Sequence, residues 1–339
     1  MLRLHSLAFW VIVFGVCLAI APVHVDAMQG PTPPGQVARG PGGTDYRFNG
    51  MRVTAFGEGA TGYWIIEPRQ RVEEALPVVV FVHGFGLTKY TAYRAWITHL
   101  VRKGNVVIYP RYHVGGIVDP TTFTRAAAAG ASKALAQCDG KRHASIDRNQ
   151  LTMIGHSLGG TIVANLAARP KHYNLPVPRA LMLLQPGDTK SDNGLGAFFP
   201  SLTEDHRTIA KGTLMLIVDV EGDYFVSPKA GLRIYDNAAS IDATDKRRLL
   251  LKTDDHGEPA IIADHMLPMA WTDRQTSQGR VNAYDFAAWR WFDALQASAL
   301  GDKQQHVLVF GDAALDLGQW SDGVPVCRPM DAPGDRLRP

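Results

Sequence analysis

Hydrophobic and polar positions alternate with two different periods along this chain. Residues 76–83 (LPVVVFVH) form a continuous apolar, β-branched run. Such a run marks a strand buried on both faces. Further runs lie at 105–109 (NVVIY), 151–155 (LTMIG), 179–184 (RALMLL), 213–220 (TLMLIVDV) and 247–252 (RRLLLK). Between them the apolar positions take helical spacing: residues 90–103, 121–136, 158–168 and 228–237, with a long amphipathic stretch at 281–299. Residues 45–70 alternate around glycines and read as an antiparallel strand pair leading the sheet. Strands alternating with helices predict an α/β fold whose sheet is mostly parallel, with helices on both faces and right-handed crossovers.

Two segments break the rhythm. Residues 187–211 are read as a small lid insertion and 257–280 as a second covering loop. Residues 28–43 (MQGPTPPGQVARGPGG) are rich in Gly and Pro and predict a flexible linker. The domain plan is therefore a targeting segment at 1–27, the linker at 28–43, one α/β domain at 44–305 and a C-terminal tail at 306–339.

The targeting segment rests on Arg3, an uncharged apolar run over residues 7–23, and small residues at Val25 and Ala27. This pattern predicts export to a periplasmic or extracellular space, with cleavage after Ala27. An uncleaved membrane anchor is the alternative; the run is short for a span and Pro22 interrupts its end. Beyond that segment two cysteines remain, Cys138 and Cys327. An oxidising compartment permits a disulfide between them, and two unpaired thiols are the other reading.

Composition narrows the function classes. With 46% hydrophobic and 20% charged residues and a net charge of +3, the chain lacks the dense basic footprint of a nucleic-acid binder. No C-x-x-C or H-E-x-x-H spacing predicts a metal site, and no cofactor is implied. The partner foreseen is a small-molecule ester, with no nucleic acid and no stable membrane partner unless the N-terminal segment stays uncleaved.

The candidate chemistry centres on Gly155-His156-Ser157-Leu158-Gly159-Gly160. An apolar strand runs into this G-x-S-x-G and a small-residue helix follows it, the strand–turn–helix setting in which a serine is exposed as a nucleophile. Ser157 is thus the candidate nucleophile. The backbone N–H of Leu158 is one candidate oxyanion donor. Phe85, in the His83-Gly84-Phe85-Gly86 loop after the 76–82 strand, is the other. His83 itself is read as packing beneath that loop.

A serine hydroxyl needs a base and the base an orienting acid. The acid is sought at the end of the 213–220 strand, where Asp223 is chosen over Glu221, and Asp219 is taken as structural. Two histidines follow the 247–252 strand. The spacing from Asp223 to His256 suits one helix and one strand, so His256 is the predicted base and His265 the alternative. His156 is expected to point away from the nucleophile. Phe85, Tyr90, Phe198, Phe199, Tyr224 and Phe225 are candidates for the crevice walls.

The elbow at Gly155–Gly160 and the loop at His83–Gly86 make the chain similar to the α/β-hydrolase superfamily over roughly residues 75–300. The elbow resembles those of lipases, esterases and thioesterases. The segments near Asp223 and His256 and the export signal also resemble secreted cutinase and polyester-hydrolase-like members, and dienelactone-hydrolase-like members. Leu158 stands where the polyester-degrading branch usually has Met, and His83-Gly84 where it tends to have Pro-Gly. The resemblance implies an exported carboxylic-ester hydrolase working through a Ser-His-Asp triad and an acyl-enzyme. An acyltransferase or peptidase on the same residues, or a non-catalytic binding protein on the same fold, are the rival readings.

Overall fold

The computed structural model describes residues 30–115, 119–139, 141–188, 201, 204–269 and 282–332. The predicted targeting segment, most of the lid insertion with Phe198 and Phe199, the later part of the covering loop and residues 333–339 lie outside them.

Nine strands form one sheet: β1 (Met51–Phe56), β2 (Tyr63–Pro68), β3 (Leu76–Val82), β4 (Val106–Pro110), β5 (Ile146–His156), β6 (Ala180–Leu184), β7 (Leu214–Val220), β8 (Lys246–Leu251) and β9 (Met330–Asp331). Their spatial order is β1-β2-β4-β3-β5-β6-β7-β8-β9. The pairs from β4 through β8 are parallel, whereas β1/β2, β2/β4 and β8/β9 are antiparallel. The apolar runs thus become the central strands, because only a strand covered on both faces can place every side chain out of water. The chief boundary difference is in β5, which begins at Ile146, within a polar stretch that carries no alternation.

The helices are α1 (Arg94–Lys103), α2 (Phe123–Gln137), α3 (Leu158–Ala168), α4 (Lys229–Asn237), α5 (Ala283–Ala299) and the short α6 (Val307–Phe310). Successive strand residues feed opposite cores, as the two-residue period requires. Val79 and Phe81 of β3 join α1, α5 and the tail on one face, and Val78, Val80 and Val82 join α2 and α3 on the other. An Asn282–Asp285 capping box starts α5 and satisfies the first free N–H groups of the helix.

Two domain expectations are revised. Residues 30–43 are docked along the body: Thr32 and Ser321 exchange hydrogen bonds at 2.9 and 3.0 Å, and Gly42 N–H donates to Asp293 at 2.8 Å. Composition signals the missing regular structure but not these partners far along the chain. The tail likewise belongs to the domain. Val309, Ala314, Trp320 and Val326 are buried in the α1/α5 core, and β9 adds an antiparallel edge to β8. Cys138 and Cys327 are both free thiols. Cys138 caps α2, with its thiol pushed up to about 12 by burial. Cys327 bonds Asp254 just beyond β8, so the two sit toward opposite ends of the sheet and no bridge joins them.

Candidate active site

The site is built where β5 ends and α3 begins. Ser157 takes φ 55° and ψ −128°, a left-handed backbone conformation that costs a non-glycine residue on the order of 1–3 kcal/mol and needs enforcement. The surroundings enforce it. Ser157 N–H donates to Leu184 O at 3.0 Å, and its carbonyl accepts from both Gly160 and Gly187 at 2.9 Å. A Cβ on Gly155 would run into the Gly159 carbonyl, and one on Gly159 into that of Val82. The two motif glycines are therefore required by close backbone approach.

Ser157 lies at the N-terminus of α3, beside the predicted oxyanion loop. In that loop Gly84 N–H donates to Tyr93 Oη at 2.9 Å and Gly86 N–H to His113 Nε2 at 3.0 Å. Among the described residues, the N–H groups of Phe85 and Leu158 have no such partner in the surrounding loops. His83 packs as foreseen. Its ring stacks on Tyr112 with centroids 4.4 Å apart, Nδ1 lies 2.7 Å from Gly84 O, and burial drives its pKa down to about 3.

Asp223 follows β7 and holds its own turn closed, Oδ1 accepting from Phe225 and Val226 N–H at 2.9 Å each. That leaves Oδ2 facing an imidazole at 2.7 Å, and the imidazole belongs to His265. Its Nε2 lies 3.0 Å from Ser157 Oγ. Ser157, His265 and Asp223 thus form a continuous hydrogen-bonded chain in a largely buried cleft. Glu221, the alternative acid, is exposed and pairs with Lys252 at 3.3 Å. Asp219 is structural: buried with Arg248 at 2.6 Å, its carboxyl is raised to about 6 by burial, against the pull of that guanidinium.

The prediction of His256 as base is corrected. His256 Nε2 lies 2.8 Å from Asp322, and its ring sits edge-on to Trp320. The physical reason is a backbone pairing. Asp254 and Ile261 bond each other in both directions, folding the residues between them outward toward the tail. The chain then returns alongside Gly222, whose N–H donates to Ala263 O at 3.2 Å. That return sets His265 beside Asp223.

His156 does point away from Ser157 Oγ, into the protein beneath the site. Its Nδ1 lies 2.7 Å from Tyr93 Oη and its Nε2 2.9 Å from the carbonyl of His265. Burial holds its pKa well below the ordinary imidazole range.

A cavity of about 570 Å³ opens over Ser157, walled by Phe85, Leu87, Phe123, Leu158, Phe225 and Met266 among others. Of the predicted wall residues, Phe85 and Phe225 line it; Tyr224 is almost wholly exposed and Tyr90 packs toward Trp64. Leu87, Phe123 and Met266 carried no distinguishing sequence signal. No group of His, Cys, Asp and Glu able to hold a metal occurs among the described residues. An imidazole within hydrogen-bond reach of a serine hydroxyl, oriented by a buried carboxylate, can activate that hydroxyl for attack on an electrophilic carbon.

A family model described as the alpha/beta hydrolase family matches residues 79–333, and the chain belongs to that family. No curated protein matches the chain significantly.

Proposed function

We propose that this member of the alpha/beta hydrolase family is an exported serine hydrolase that cleaves carboxylic esters with an apolar acyl or alcohol portion. Family membership supports hydrolysis. The observation that carries the finer reading is the chain Asp223 Oδ2–His265 Nδ1 at 2.7 Å and His265 Nε2–Ser157 Oγ at 3.0 Å. The apolar walls of the cleft support an apolar substrate portion beside the scissile carbonyl.

In this reading His265 takes the Ser157 proton as Oγ attacks the ester carbonyl. Asp223 fixes the tautomer of the ring and stabilises the imidazolium. The N–H groups of Phe85 and Leu158 receive the oxyanion, a contribution of about 3–4 kcal/mol per donor in comparable sites. The imidazolium then protonates the leaving alcohol, and water repeats the sequence on the acyl-enzyme. Residues 1–27 serve as the export signal, which the mass of the mature N-terminus tests. Among the described residues no helix is long and apolar enough to cross a membrane.

The test is hydrolysis of p-nitrophenyl esters of graded acyl length by the wild type and Ser157→Ala. Turnover that falls by several orders of magnitude in the variant supports the reading. Equal turnover by both proteins on every ester contradicts it.

A further inference from the structure

His156 is the last residue of β5 and immediately precedes the nucleophile; it is buried almost completely, and both of its ring nitrogens are paired. The direction of each hydrogen bond follows from what the groups can do. The carbonyl of His265 can only accept, so His156 Nε2 carries the proton and donates to it across 2.9 Å. The neutral ring then leaves Nδ1 as an acceptor, and burial keeps the ring neutral. The Tyr93 hydroxyl donates its one proton to Nδ1 at 2.7 Å. Its oxygen accepts the Gly84 N–H at 2.9 Å. One ordered relay therefore runs from Gly84 through Tyr93 and His156 to His265.

The ends of this relay are the two loops that converge on Ser157. Gly84 immediately precedes Phe85, the oxyanion donor of the proposed mechanism. Gly84 also packs against the ring itself: a Cβ there would lie 3.1 Å from His156 Nδ1 and 3.3 Å from Ser157 Cβ. At the other end the relay grips the backbone of the residue whose imidazole reaches Ser157. The anchor between them sits on a central strand, one residue from the nucleophile.

We propose that His156, locked by Tyr93, is a positioning residue that sets the oxyanion loop and the His265 loop at fixed distances from Ser157. This rests on the serine-hydrolase reading above. His156 touches no reacting atom; it acts through the two backbone segments that it joins. Misplacing catalytic groups by about 1 Å costs about 10²-fold in rate. Loss of the relay therefore lowers kcat while the apolar cleft, and with it KM, is preserved.

The experiment compares the wild type with Tyr93→Phe, His156→Ala and His156→Gln. It measures kcat and KM on p-nitrophenyl esters, the rate at which a fluorophosphonate labels Ser157, and melting temperature. The Gln carboxamide can offer an acceptor to Tyr93 and a donor to the His265 carbonyl. For His156→Ala and Tyr93→Phe the expected result is a fall of about 10–100-fold in kcat, with KM within about threefold and labelling slowed in parallel. His156→Gln should recover most of the loss. Folded His156→Ala and Tyr93→Phe proteins with wild-type kcat and labelling rate overturn the proposal. So does a folded His156→Gln no faster than His156→Ala. If His156→Ala does not fold, the comparison of Tyr93→Phe and His156→Gln with wild type decides. Failure of the underlying reading looks different: Ser157→Ala then keeps its turnover, whatever the His156 variants do.

Discussion

Asp254 and Ile261 hold each other through two backbone hydrogen bonds, 3.0 Å from Asp254 N–H and 2.8 Å from Ile261 N–H. This pair decides which histidine reaches the serine. It closes the loop carrying His256 away from the cleft and sends the chain back past Gly222, so that His265 arrives at Asp223.

The two histidines give a direct comparison. His265→Ala should lower kcat/KM for esters by at least about 10³-fold, close to the effect of Ser157→Ala, since members of such a unit fail together. His256→Ala should stay within a few-fold of wild type. Steady-state kinetics on one p-nitrophenyl ester checks both; a larger loss from His256→Ala contradicts the assignment.

The acid gives a second comparison. Asp223→Asn keeps the shape of the side chain but can no longer fix the productive tautomer of His265, a change worth about 10⁴-fold in a related arrangement. Glu221→Gln, on an exposed residue paired with Lys252, should leave kcat within a few-fold. Similar losses from both variants, measured as kcat with the fold checked by circular dichroism, would remove Asp223 from its role.

Acid sensitivity follows from the buried imidazoles. Burial lowers His83 to about 3 and His206 to about 4, and holds His156 well below its ordinary value. In the unfolded chain each titrates near 6.5. Below that pH the unfolded state binds protons that the folded state refuses. The stability contribution is whole above about pH 6.5 and is lost as pH falls, by about 1.4 kcal/mol per pH unit for each group. Urea unfolding at pH 7.5 and 5.5 should show the midpoint falling with pH, by less than the imidazoles alone would give. The buried carboxyls of Asp219 and Asp285, raised to about 6 and about 7, take up protons in the folded state over the same range. In His206→Gln the slope should shrink by about one proton; an unchanged slope contradicts the assignment of His206.

Asp254 also anchors the tail through its carboxylate. Oδ2 accepts from Trp320 Nε1 at 3.0 Å and from Cys327 N–H at 2.7 Å, and Oδ1 accepts from His256 N–H at 3.1 Å. Asp254→Ala leaves these donors without their acceptor. Buried donors so stranded cost about 1–3 kcal/mol each. Chemical denaturation should show a loss of about 2–4 kcal/mol, and limited proteolysis should cut first between residues 316 and 328. Wild-type resistance at that segment would show that the tail is held by its apolar contacts instead.

What the sequence determined by itself is local in origin. Six apolar runs specified the central strands because a strand buried on both faces leaves a continuous signature. Gly155, Ser157 and Gly159 specified the elbow because its tight backbone admits no Cβ at the flanking positions. Asp223 was legible because its place depends only on where β7 ends. The rest was decided by contacts between distant segments, which periodicity does not carry. His256 and His265 stand nine residues apart after the same strand. Only the pairing of Asp254 with Ile261, and of Gly222 with Ala263, separates their fates. The docking of residues 30–43 and of the tail depends in the same way on partners such as Ser321, Asp293 and Asp254. Tyr93 lies in no motif and His156 holds a variable position of G-x-S-x-G, so neither signalled the relay, which exists only once the start of α1, the end of β5 and the His265 loop meet beneath Ser157.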